Sequence, residues 1–258
     1  MRLQLQRAAA LTALVALASV GIARAAKPTT VRAGNLILSI NGGVTPRKLP
    51  RKTLAPIALR VGGAVRTADG SQPPAAKTVT IDFDKHGTVN ARGLSSCRSG
   101  QLQARTTSAA KAACRRAIIG AGSTAVRVEF AEQAPFVAKG PLVIFNGGVR
   151  RGVTTMLIHA YVSVPAPTAI VTTVRVKRAH RGRFGTRAVA RIPTIAGGSG
   201  SLTHFNLRIK RTFRRRGHRQ SYLLARCANG RFFAHGTVAF RDGTRLKGDV
   251  VRPCRVRG

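Results

Sequence analysis

The sequence predicts a mainly β fold: an antiparallel β-sandwich or open barrel with one short helix and two disulfides. Three observations carry that reading. Apolar and polar residues alternate with period two in one stretch after another, the pattern of strands with one buried and one wet face. Turn pairs such as Asn229-Gly230 and Asp242-Gly243 punctuate those stretches. Four cysteines, an even number, follow a leader-like N-terminus.

The leader comes first. Arg2 and Arg7 precede an uncharged Ala/Leu/Val-rich run from Ala8 to Ile22, and Ala23-Arg24-Ala25 follows as a small-x-small cleavage pattern. Residues 1–25 are therefore expected to be a signal peptide, removed on export. The rival, an uncleaved anchor, is disfavoured because this run falls short of the roughly 20 residues a spanning helix needs. No adjacent arginine pair precedes it, so general export is expected rather than the twin-arginine route.

Strands are then expected at Asn35–Ile40, Ala58–Arg66, Thr155–Val164 and Ile170–Lys177. Val79, Ile81 and Phe83 share one face against Thr80, Asp82 and Asp84. Val126, Val128 and Phe130 alternate with Arg127 and Glu129. Phe205, Leu207, Ile209 and Phe213 alternate with His204, Asn206, Arg208 and Lys210. Leu142–Phe145 is a short apolar run suited to a central strand. One helix is expected over Ala109–Ala117, capped by Thr107 or Ser108 and stopped by Gly120. The two C-terminal turn pairs predict a three-stranded meander at about 221–227, 231–240 and 244–251.

Cys97, Cys114, Cys227 and Cys254 all lie in the expected exported chain, where disulfides form. Three pairings are possible, and order and spacing favour Cys97–Cys114 and Cys227–Cys254. Zinc would need Cys-x-x-Cys or close Cys/His spacing, which none of them has. In a meander, Cys227 and Cys254 would end strands about 10 Å apart. Bridging needs Cα atoms within about 7 Å, so the tail is expected to fold over the sheet end.

Charge is the loudest feature. The 258 residues hold 45 Lys and Arg against 7 Asp and Glu, a net charge of +38, while the apolar share is 44% and mean hydropathy is near zero. That share builds a core and excludes wholesale disorder. So few carboxylates make a carboxylate-rich metal site hard to assemble, and the absence of tryptophan disfavours a binder built on aromatic stacking. Arg178, Arg181 and Arg183 form one basic segment, and Arg214, Arg215, Arg216 and Arg219 another, around a hairpin near Arg216-Gly217. Two such tips at one end of the fold would make an electrostatic footprint for a polyanion. Against this, arginines outnumber lysines 35 to 10 in an Ala-rich chain, which genome-wide G+C bias also produces.

Catalytic signals are thin. Gly197-Gly198-Ser199-Gly200-Ser201 lacks the second glycine of a nucleophile elbow. Asp82, Asp84 and His86 are the candidates for a metal, but Asp84-Lys85-His86-Gly87 also has the pattern of a type I turn. No catalytic residue and no cofactor is assigned.

Asn146-Gly147-Gly148 to Gly152 is the cleanest interior punctuation, so the exported region 26–258 is read as one β region with an optional division into two subdomains near 146–152. The runs TVTIDFDKHGTVNARGLSSC, GPLVIFNGG, IPTIAGGSGSLTHFNLRI and SYLLARCANGRFFAHGTVAFRDGTRLKGDVVRPC resemble uncharacterised secreted β-rich, two-disulfide proteins of high-G+C Gram-positive bacteria. The resemblance implies export, two disulfides and a β fold, and brings no activity with it. The expectation is a non-enzymatic protein, secreted or associated with the cell envelope. Its basic tips would meet anionic cell-wall polymers, lipid headgroups or extracellular nucleic acid, with no defined protein partner. The alternatives are a lipid- or apolar-ligand-binding β module and a secreted hydrolase with a spatially assembled Ser/His/Asp site.

Overall fold

The computed structural model describes residues 28–163 and 166–257; the expected signal peptide, residues 1–25, lies outside them. Twelve antiparallel strands wind into one nearly closed barrel. In chain order they are β1 (Thr29–Ala33), β2 (Leu36–Thr45), β3 (Ala58–Thr67), β4 (Ala76–Asp84), β5 (Ile118–Val128), β6 (Phe136–Arg150), β7 (Val153–Val162), β8 (Thr168–Arg181), β9 (Phe184–Arg191), β10 (Gly200–Ile209), β11 (Arg231–Phe240) and β12 (Arg245–Pro253). Around the wall they run β1-β2-β3-β10-β5-β6-β7-β8-β9-β4-β11-β12. The two edges meet at a seam. Thr29 Oγ1 donates to the Asp249 carbonyl at 3.0 Å, and Arg252 Nε donates to the Gly42 carbonyl at 2.7 Å. Closure of this kind removes the edge strands that an open sheet would leave to pair with other chains.

Alternation decides which face turns inward. Val79, Ile81 and Phe83 of β4 and Phe205, Leu207 and Ile209 of β10 line the interior. Their neighbours His204, Asn206 and Arg208 face solvent, as do Arg175 and Lys177 of β8. Apolar-in, charged-out is the reverse of a membrane-spanning barrel, whose outer band is apolar. The described residues also contain no helix long and apolar enough to cross a membrane. At β5 the backbone comes unusually close to β10. A Cβ on Gly120 or Gly122 would land on the carbonyl oxygens of Arg208 and Asn206, so only glycine fits this corner.

The short helix α1 (Thr107–Ala113) forms, beginning two residues and ending four residues earlier than expected. Thr106 is its cap, accepting from the Ala109 amide, and Cys114 closes it. A short 3₁₀ turn follows and Ile118 already opens β5, because the β-branched pair Ile118-Ile119 is taken by the sheet. Both expected disulfides are present, Cys97–Cys114 and Cys227–Cys254, with Cα atoms 5.7 and 5.9 Å apart.

The expected meander is corrected. Only β11 and β12 pair as a hairpin; Leu223–Ala225 leaves them and forms a small sheet with Ala55–Pro56 and Gly87–Val89. The reason is burial: Tyr222, Leu223 and Ala225 are almost wholly enclosed there, and no site beside β11 offers that. Residues 146–152, the place of the optional division, lie at a register shift in β6 and in its turn to β7. Strands from before and after that point alternate in a single wall.

The strand registers define two ends. At one lie the β2–β3, β4–β5, β6–β7, β8–β9 and β10–β11 connections and the C-terminal tail; at the other lie the remaining turns. A twelve-stranded barrel is wider than the roughly eight strands whose side chains fill their own interior. The first end is plugged by the small sheet, which sets Ala91, Tyr222 and Leu223 against Ile119, Ile144 and Ile209. From this plugged end the 95–117 segment also runs onto the outer wall. There Leu102 and Ala110 cover Val143, Phe145 and Leu157. Asn146 holds that segment down, donating from Nδ2 to the Leu94 and Ser95 carbonyls and accepting the Cys97 amide through its own carbonyl.

Candidate functional site

What the plug leaves unfilled is an interior cavity of about 300 Å³. Eleven of the twelve strands contribute to it, all but β1, and nearly every contribution is apolar: Ile81, Phe83, Ile158, Ile170, Ala188, Ala190 and Leu207 are representative. These side chains are only half-buried although they point inward, because the space in front of them is empty rather than packed. A well-packed core would leave no such surface. Phe205 lies over Gly63, where a Cβ would meet its ring at 2.7 Å, so this aromatic wall depends on a glycine in the next strand. The polar residues that reach the lining are few: Arg60, Thr124, Thr172 and Thr186 on the wall, Asn41 and Arg252 beside the seam, and Asp84 and Thr88 at the plug. Burial, then the neighbouring Arg47, pushes the Arg252 guanidinium below its ordinary value. An apolar chamber with scattered polar points is what holds a lipid-like molecule, and its volume falls at the small end of the usual range for ligand sites.

The metal candidates are placed apart. Asp84 turns into the plug, where its Oδ1 accepts the His86 amide at 2.9 Å and contacts His86 Nδ1 at 2.7 Å, while Oδ2 accepts the Phe233 amide. That is the turn geometry the sequence allowed. Asp82 points to the outer wall, where Arg187 clamps it with two bonds of 2.6 Å and is itself held more firmly protonated by them. No group of three metal-ligating side chains gathers among the described residues.

On that outer wall a dent of about 550 Å³ exposes a row across four strands. Arg187, Asp82, His235 and Asp249 stand side by side, with cross-strand pairs at each step. His235 Nδ1 meets Asp249 Oδ1 at 2.8 Å, and Thr237 Oγ1 is 3.5 Å from His235 Nε2. The order hydroxyl, imidazole, carboxylate is that of a nucleophile relay, but the backbone at Thr237 is paired to both neighbouring strands. The Thr237 amide is therefore taken up in the sheet and is not free to stabilise an oxyanion. The row acts as a cross-strand charge ladder.

The arginine candidates come to the plugged end. Arg214, Arg215, Arg216 and Arg219 are exposed on the hairpin Thr212–Arg215/His218–Ser221, whose turn Arg216-Gly217 takes positive φ at both residues. The stem of Arg215 lies over Gly93. Arg181 ends β8, Arg178 is exposed three residues before it, and Arg183 sits in the turn with its guanidinium 4.7 Å from the Phe233 ring. The two tips share an end and follow from strands, β10 and β8, that β5, β6 and β7 separate around the wall.

Sequence reasoning offered an apolar-ligand-binding β module only as an alternative and named none of the residues that line the cavity. The available signal was the number of period-two stretches with one apolar face, more than a small sandwich needs. No protein-family model matches this chain, no curated protein or solved structure matches it either, and nothing in these comparisons bears on the resemblance read from its motifs.

Proposed function

We propose that the chain is an exported carrier barrel that holds one apolar, lipid-like molecule in its interior and performs no chemistry on it. The observation that carries this reading is the unfilled, apolar-lined interior. Leaving apolar surface unpacked costs stability, at about 25 cal/mol for each Å² that a ligand would cover. A fold that keeps such surface across eleven strands gains it back when an apolar molecule enters. The leader-like N-terminus and the two disulfides support export, since disulfides form and persist in oxidising compartments.

Competition with a fluorescent fatty acid tests the proposal. The wild-type protein should bind the probe with a stoichiometry of one, and extraction of freshly purified protein should yield an apolar molecule. Ala188→Phe and Ala190→Phe each push a ring into the cavity and should abolish probe binding while circular dichroism stays unchanged. Thr80→Ala, on the outer wall, should leave it intact. Probe binding that survives both fillings would place the ligand elsewhere and end this reading.

A further inference from the structure

The two ends of the barrel differ in charge in a way that composition does not dictate. The segments that leave and return at the plugged end (46–57, 85–117, 151–152, 182–183, 210–230 and 254–257) hold twenty-two Lys and Arg and no Asp or Glu. The far-end turns, taken over the described residues (34–35, 68–75, 129–135, 163, 166–167, 192–199 and 241–244), hold Arg241 against Asp69, Glu129, Glu132 and Asp242. A genome-wide bias toward arginine would load both sets.

The same end shows aliphatic side chains to solvent. Among the described residues the exposed large hydrophobics are Leu54, Val137, Val149, Val251 and Val256, and all but Val137 lie at or beside the plugged end. Each sits among cations. Leu54 follows Arg51 and Lys52, Val149 precedes Arg150 and Arg151 at a hairpin tip, and Val256 stands between Arg255 and Arg257. Leu54 and Val256 belong to one braced platform. Arg255–Arg257 pairs with Lys48–Pro50, the Arg255 amide donates to the Arg47 carbonyl, and the Cys227–Cys254 bridge packs with Leu49 beneath. Leu49 is turned in, Leu54 and Val256 out.

We propose that the plugged end docks on the surface of an anionic lipid bilayer. Cations alone would suit any polyanion. Cations interleaved with exposed aliphatics suit a bilayer, where arginines meet headgroup phosphates and aliphatic side chains enter the headgroup–acyl boundary. A nucleic acid would use exposed aromatics to stack its bases, and this end offers aliphatics instead. The docking does not depend on the interior holding a ligand.

The chain contains no tryptophan, so single reporters are clean. Leu54→Trp and Val256→Trp test the platform, and Val137→Trp is the control at the far end. With vesicles of phosphatidylcholine containing about one-third phosphatidylglycerol, the first two should shift to the blue and be quenched by brominated acyl chains. Val137→Trp should do neither, pure phosphatidylcholine should give no binding, and raising salt from low to physiological strength should weaken affinity at least tenfold. Leu54→Ser with Val256→Ser should cost several-fold in affinity at fixed salt with an unchanged Tm. Equal shifts at positions 54 and 137 would mean adsorption without orientation and would overturn the proposal. So would reporters that stay in water while single-stranded nucleic acid displaces the vesicles, which marks a surface for soluble polyanions. Ala190→Phe separates the two readings. Vesicle binding retained without probe uptake leaves docking standing alone; vesicle binding lost with the cavity filled ties it to the cargo, and the surface proposal fails.

Discussion

The plugged end and the far end of this barrel are made of the same wall and differ in almost everything attached to it. The far end is turned by short connections and closed by packing of Leu36, Leu38, Val65, Val238, Phe240 and Leu246 on the strands themselves. Its carboxylates serve turns: Asp69 accepts from Ser71, and Asp242 from Thr244. The plugged end carries both disulfides, the helix, the plug and the cationic surface. Dense positive charge weakens a compact state by self-repulsion, so the end that carries it needs other forces to hold it. Both cross-links and the wholly enclosed Tyr222 lie at that end. Charge and bracing are two parts of one arrangement.

The plug offers the sharpest way to break this comparison. Tyr222 is wholly enclosed, burial pushes its phenol upward, and its hydroxyl has no partner. Tyr222→Ala should cost about 3–5 kcal/mol, as truncation of buried aromatics does. Tyr222→Phe should be neutral or stabilising, because it deletes an unsatisfied polar group. Denaturant titration measures both, and hydrogen exchange locates the loss. Protection lost first at the 210–230 segment supports the division into two ends; uniform loss would show that the barrel melts as one body and the ends are not separable.

The bridges come next. Cys97–Cys114 and Cys227–Cys254 span separations of 17 and 27 residues, and removing either pair by Ser substitution should cost about 3 kcal/mol. If bracing offsets repulsion, that cost should shrink in high salt, where exposed charges are screened. A salt-independent cost would break the link between bracing and charge.

Much of this fold was legible, and the rest failed for identifiable reasons. Val79, Ile81 and Phe83 announced a half-buried strand, and the cysteine order announced both bridges. Alternation, however, reports that a face is apolar without saying whether it meets a second sheet or its own barrel. Strand ends were cut short where glycine reads as punctuation: β2 runs through Asn41-Gly42-Gly43 to Thr45, and β6 through Gly147-Gly148 to Arg150. The plug was misassigned because the Asn229-Gly230 turn is a local signal. The pairing of Leu223–Ala225 with 55–56 and 87–89 is long-range and leaves no local trace. Of the site, the arginine tips were visible as residues. Their gathering at one end became visible only when each connection could be assigned to an end, and the cavity only when the strands could be counted around a wall.

The smallest effect should appear on acidification, and it orders the two ends in pH. His159 of β7 is fully buried on the outer wall beneath the segment that departs from the plugged end. Its Nε2–H donates to the Arg105 carbonyl at 3.0 Å, and Nδ1 has no partner. A proton arriving at Nδ1 would place a charge where nothing accepts it, and burial accordingly lowers the His159 pKa. The unfolded chain therefore binds this proton more readily than the folded one, so stability falls as pH drops through the ordinary histidine value of 6.5 toward the lowered one. At the far end the depressed carboxyl is Asp69, held low first by the Ser71 hydroxyl and then by Asn35. Its contribution is complete above the ordinary carboxylate range and is lost only as pH falls below that range. Acidification should thus loosen the 95–117 segment first, as pH falls below the ordinary histidine value of 6.5, while the Asn35 and Ser71 turns hold until about pH 4 and lower. Tm measured against pH for wild type and His159→Gln checks this, with hydrogen exchange at the 107–113 helix as the local readout. The variant should lose the decline that begins below pH 6.5 and keep the one in the carboxylate range. A decline that persists unchanged in His159→Gln would assign the acid sensitivity to another group and remove the ordering of the ends.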